Sequence, residues 1–270
     1  MTPPRSPRKG TRTMRRALPT LFSLLALTTG LAAGTPGPES RTVRGTVLDT
    51  RGQPIRGAIV RIEPALTSGM VSLKTDARGR YSLGSLIDEP YYATAWTLIP
   101  YRDQKFCLRV DSVDEEGYEP FSGKTGAIRN FRLKLAGPVP DGGENAYFGG
   151  EVRLLHPGWD DEGVVNFRES RVEVTLVPEG PLVDGSKGQT LVKTTRPGSD
   201  FLYDIPLGHY RATAVELRPD GSRVPLLMGE DRPASAMDLD FESNSSSCGT
   251  GYSHLGGIRR AFLYVASPAR

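Results

Sequence analysis

Apolar and polar residues alternate with a period of two along much of the chain. Val43, Gly45 and Val47 fall on one face with Arg44 and Thr46 opposite, and Ala58, Val60 and Ile62 alternate with Ile59, Arg61 and Glu63. Phe131, Leu133 and Leu135 alternate with Arg132 and Lys134. Farther on, Val172, Val174 and Leu176 alternate with Glu173 and Thr175, and Met237, Leu239 and Phe241 with Asp238 and Asp240. Such a period predicts strands that place one side on a core and the other in water. No long segment carries a helical apolar period, so the predicted class is all-β, with two inner sheet faces forming each core.

Glycine and proline punctuate these runs. Gly52 and Pro54 follow Asp49, and Gly79 lies between Asp76 and Tyr81, where glycine supplies positive φ and proline a preset negative φ. The two halves also echo each other. Leu73-Lys74-Thr75, Gly79, Tyr91, Ala93, Thr94 and Ala95 match Val192-Lys193-Thr194, Gly198, Tyr210, Ala212, Thr213 and Ala214 at one offset of 119 residues. Val60 to Pro64 resembles Val174 to Pro178 at a smaller offset, which puts insertions into the loops around 154–170 and 180–189. The predicted organisation is therefore two tandem antiparallel β-sandwich domains, residues 41–136 and 147–267, joined by a Pro/Gly-rich linker at 137–146.

Residues 1–34 stand apart from this pattern. A basic stretch from Arg5 to Arg16 without acidic residues precedes the apolar run Ala17 to Ala33, which ends in small residues, the layout of a signal peptide. Either Met1 or Met14 fits as its start. Six of the 34 basic residues lie in this leader, leaving 28 against 31 acidic and a net charge of −3. That balance does not favour nucleic acid as a partner. The run is also short for a stable membrane span after signal cleavage. The expected address is exported: periplasmic, cell-surface or secreted.

The stretch from Gly45-Thr-Val47 through Asp49-Thr-Arg-Gly52-Gln-Pro54 to Val60, followed by Thr75-Asp76-Ala-Arg-Gly79-Arg-Tyr81, resembles the carboxypeptidase regulatory-like domain. This transthyretin-like β-sandwich is appended to many secreted proteins, and the resemblance implies an exported bacterial protein. It also implies a non-catalytic module for structural support or protein interaction at the cell envelope. The related carbohydrate-binding-like folds add polysaccharide as an alternative partner. The second half departs from the family turn, carrying His156-Pro-Gly-Trp159-Asp160-Asp161-Glu162 instead.

Chemistry is sparse. His156, His209 and His254 have no sequence neighbour at metal-ligand spacing, so neither a metal nor a cofactor is expected. Gly123-Lys124-Thr125 lacks the upstream glycine and the strand–loop–helix setting of a phosphate loop. Gly251-Tyr-Ser253-His254-Leu-Gly256 misses the nucleophile-elbow spacing by one, leaving a hydrolase as a remote alternative. The acidic loops at 111–119 and 160–162 read as solvated charge. Aromatics offer the clearest binding candidates: Tyr92, Trp96 and Tyr101 on one strand and its exit, and Trp159 in the inserted loop. Cys107 and Cys248, one in each half, are a possible disulfide outside the cytosol.

Overall fold

The computed structural model describes residues 37–157, 163–244, 248 and 257–268; the leader, Trp159 and the Ser253–His254 pair lie outside them. Nine strands form the first lobe: β1 (Val43–Leu48), β2 (Ile59–Pro64), β3 (Val71–Lys74), β4 (Arg80–Leu83), β5 (Pro90–Tyr101), β6 (Gln104–Ser112), β7 (Phe121–Ser122), β8 (Ala127–Ile128) and β9 (Phe131–Arg132). Nine more form the second: β10 (Gly150–Leu155), β11 (Arg171–Pro178), β12 (Leu191–Thr194), β13 (Phe201–Ile205), β14 (Tyr210–Leu217), β15 (Arg223–Pro225), β16 (Leu227–Met228), β17 (Met237–Leu239) and β18 (Ala261–Ala266). A single 3-10 turn, Glu115–Tyr118, interrupts them among the described residues.

In the first lobe the strand order is β3-β2-β5-β6-β9-β1-β4. The short β9 closes the sandwich, because it pairs antiparallel with β6 and parallel with β1. Val47, Val60, Ala95, Val110 and Phe131 are buried in one cluster behind that closure. Each such valine contributes about 1.5–3 kcal/mol when fully buried. The second lobe keeps two separate sheets, β13-β10-β18-β16 and β12-β11-β14-β15 with β17 beside β14. Its β18 also lies parallel to β10. Strand pairing is thus antiparallel except where β8 and β9 run beside β1 and β18 runs beside β10.

Two turns of the first lobe share one mechanism. Asp49 Oδ1 accepts from the amides of Arg51 and Gln53, and Asp76 Oδ1 from those of Arg78 and Arg80. Gly52 and Gly79 follow at φ 80° and 68°, where a side chain is strained. At Gly79 an added Cβ would also come within 2.6 Å of the Val47 carbonyl oxygen.

The lobes use the same central register. Val60, Ile62 and Pro64 pair with Ala95, Ala93 and Tyr91, while Val174, Leu176 and Pro178 pair with Ala214, Ala212 and Tyr210. The offset of 119 therefore holds on this ladder. At the preceding strand it slips by one. The Thr75 hydroxyl accepts from the Ala58 amide, and its counterpart is Thr195, bonded to the Val172 amide, rather than Thr194. The connection from this threonine to the tyrosine is one residue shorter in the second lobe.

The described residues from Gly37 onward pack as one compact unit. The 137–146 segment is held rather than loose: Val139, Ala146 and Phe148 bury together, and the Gly137 amide donates to Asp204 at 2.7 Å. Tyr101 donates to the Pro181 carbonyl at 2.9 Å, and Thr50 to Asp184 at 2.6 Å. A Cys107–Cys248 disulfide joins residues 141 positions apart, with Cα atoms 5.3 Å apart. No helix among the described residues is long and apolar enough to cross a membrane.

Glu216 is the buried carboxylate among the described residues of the second lobe. Burial pushes it up, but hydrogen bonds from Ser170, Ser267 and Arg218 outweigh that and hold it below its ordinary value of 4.5. Its stabilisation is therefore complete above the unfolded value and is lost as pH falls through the folded one. Glu216→Gln should cost about 1–3 kcal/mol at neutral pH by urea melting, and the gap to wild type should close below about pH 4.5. The double change Cys107→Ser with Cys248→Ser should cost about 2–4 kcal/mol and lower Tm by roughly 5–15 °C in calorimetry. An unchanged Tm would mean that the noncovalent seam alone carries the junction.

Candidate functional site

Side chains alternate strictly along β5 up to Ala95. Tyr91, Ala93 and Ala95 enter the core, so Tyr92, Thr94 and Trp96 emerge on the opposite face. Strand register then sets their neighbours: Glu63 opposite Tyr92, Arg61 opposite Thr94, and Arg109 opposite Trp96. The 3-10 turn and the 137–146 segment rise beside this face, contributing Tyr118 and Asp141. Together these groups line a cleft of about 700 Å³.

Its floor is ordered by paired charges. Arg61 lies over the Trp96 ring at 5.4 Å and bonds Glu63 at 2.5 Å, leaving Trp96 only 8% exposed. Arg109, itself 6% exposed, bonds Asp141 at 2.6 Å and stands 5.8 Å from the Tyr118 ring. Stacked guanidinium groups gain from the ring quadrupole while their edges remain available as donors. Behind them Asp111 is buried and accepts from both Tyr118 and Lys134. Burial first, and then the bond to Asp111, push the Tyr118 phenol well above its ordinary range. Tyr118 is thus a fixed, neutral wall of the cleft.

The sequence candidates separate in space. Tyr92, 41% exposed, and Trp96 share the cleft. Tyr101 instead packs at the lobe seam through Pro181, and Trp159 is outside the described residues. Arg61, Arg109, Tyr118 and Asp141 were not among the candidates. The outward positions of Arg61 and Arg109 in alternating strands were a usable signal. Tyr118 was hidden in an acidic loop, and Asp141 in a linker, where periodicity carries no information.

The architecture defines a β-sandwich protein. Within it, residues 42–105 match the family described as carboxypeptidase regulatory-like domain. The match takes in Arg61, Glu63, Tyr92 and Trp96, while Arg109, Tyr118 and Asp141 lie beyond it. No curated protein matches the chain. Among solved structures, the Bacillus anthracis TIE protein is 13% identical over 73% of this chain, at a TM-score of 0.30, and this chain spans 30% of its length. BcpA, the major pilin subunit of Bacillus cereus, is 11% identical, with 84% of this chain and 85% of that one covered at a TM-score of 0.25. A DUF3823 family protein from Bacteroides uniformis is 9% identical, with 74% and 98% covered at a TM-score of 0.25.

Asp141→Asn should remove the charged partner of buried Arg109 and cost about 1–3 kcal/mol, read as a lower urea midpoint. Arg109→Met keeps the stem volume and removes the buried charge, so it should cost less than Asp141→Asn.

Proposed function

We propose that the protein is a non-catalytic, exported β-sandwich module of the cell envelope, and that the cleft on the outer face of β2, β5 and β6 is its recognition site for a saccharide. One observation carries this reading. The aromatic rings of Tyr92 and Tyr118 meet guanidinium–carboxylate pairs, Arg61–Glu63 and Arg109–Asp141, above a Trp96 that Arg61 covers. Sugars present apolar C–H faces beside arrays of hydroxyls, and an aromatic surface with prepaired donors and acceptors answers both. The leader-like first 34 residues support export, and the echo between the lobes supports two copies of one sandwich.

A second reading is favoured by a separate observation. β3 is an edge strand, and Leu66, Met70 and Val71 are exposed along its approach. Unpaired backbone with apolar side chains suits contact with another protein.

The discriminating experiment presents the protein to a glycan array and to isolated cell-wall polysaccharide. Tyr92→Ala, an exposed change, should weaken a glycan hit at least about tenfold while shifting stability by no more than about 0.5 kcal/mol. Glycan binding that survives Tyr92→Ala would move the site elsewhere. An array without hits, together with an envelope protein captured by wild type and lost on Val71→Lys, would favour the edge-strand reading.

A further inference from the structure

Strand pairing in the second lobe gathers three ligand-type side chains that are far apart in sequence. β14 lies between β11 and β17, and its Tyr210 is opposite both Pro178 and Leu239. Tyr210 and Leu239 are buried, so the residues beside them face away from the core. The Glu179 amide donates to the His209 carbonyl at 2.9 Å and carries the ladder one residue further. One donor atom each from Glu179, His209 and Asp238 then lies within 4.8 Å of the others.

The imidazole is flanked on both nitrogens. Nδ1 is 2.8 Å from an Asp240 oxygen, and Arg102 of the first lobe holds the same oxygen at 2.7 Å. In the tautomer that donates from Nδ1 to Asp240, the Nε2 lone pair faces Glu179, whose Oε2 is 3.3 Å away. That gap is filled either by a second ring proton, which makes the imidazolium an ionic bridge between the two carboxylates, or by a metal ion held between the two acceptors. Ligands about 2.0–2.1 Å from a tetrahedral zinc ion stand roughly 3.3 Å apart, so this gap has the length of a metal-tetrahedron edge. A carboxylate on the far ring nitrogen is also what orients a histidine ligand and raises its basicity.

We propose that Glu179, His209 and Asp238 form a site for Zn²⁺, with Asp240 as the positioning carboxylate on His209. Imidazole with carboxylates suits this borderline ion better than Ca²⁺ or Mg²⁺, which take oxygen donors. Arg211 bonds Oδ1 of Asp238 at 2.7 Å. Three carboxylates against Arg102 and Arg211 leave one formal negative charge to attract the ion. Because Arg102 comes from the β5–β6 turn, the occupied site would brace the lobe seam.

Calorimetric titration of the full-length, disulfide-bonded, tag-free protein with zinc chloride near neutral pH should show one ion per chain, and zinc should raise Tm. Co²⁺ in its place should give the visible absorption of a tetrahedral centre. Glu179→Gln and Asp238→Asn, both exposed changes, should each weaken zinc binding at least about tenfold, as should Asp240→Asn through His209. His156→Gln should leave it unchanged. The proposal is overturned if wild type shows no saturable zinc binding. It is equally overturned if binding persists undiminished in Glu179→Gln and Asp238→Asn, and His209 is then an ionic bridge between Glu179 and Asp240.

Discussion

The twelve-residue strand β5 constrains nearly everything else in the first lobe, because a strand cannot turn one side chain inward without turning the next one outward. Putting Tyr91, Ala93 and Ala95 into the core sends Tyr92, Thr94 and Trp96 to the face where the cleft forms. The strand's far end then delivers Tyr101 and Arg102 to the second lobe, where they meet Pro181 and Asp240. Core, cleft and seam are three consequences of one register. A slip of one residue would exchange the first two and abolish the third.

Trp96 shows how the cleft depends on its neighbours. An aromatic on an outward face would ordinarily lie open to solvent, yet Arg61 of the flanking β2 lies over the ring, and Arg109 is its register partner on β6. Each guanidinium is fixed by a carboxylate, so the face is covered by groups that can still donate hydrogen bonds. The surface is a shallow polar chamber with aromatic walls.

The junction between lobes follows a different physics. Its polar contacts include Thr50–Asp184, Tyr101–Pro181, Arg102–Asp240, Gln104–Ser243 and Gly137–Asp204, with the disulfide alongside, and one hydrophobic cluster draws residues from both lobes. Hydrogen bonds of this kind are individually worth about 0.5–1.5 kcal/mol and act mainly by fixing geometry. The covalent link between Cys107 and Cys248 limits how far the lobes can separate.

Alternation and turn chemistry made the strands legible from the sequence alone. The period-two runs became β1, β2, β11 and β17, the Asp-x-Arg-Gly segments became turns, and the matched Tyr, Ala and Ala positions became matched ladder rungs. Those are local properties, set by which residues face a core and which can adopt positive φ. The tertiary structure decided what local patterns do not encode. It ran the crossover strands β9 and β18 parallel to β1 and β10, and it moved the threonine match from Thr194 to Thr195. It drew Tyr101 away from Tyr92 and Trp96, and added Tyr118 and Asp141 to them. It also set Glu179 and Asp238 beside a histidine that has no ligand-spaced neighbour in the chain. Pairing between distant strands brings such groups together, and nothing in the spacing along a single strand records which partner lies across from it.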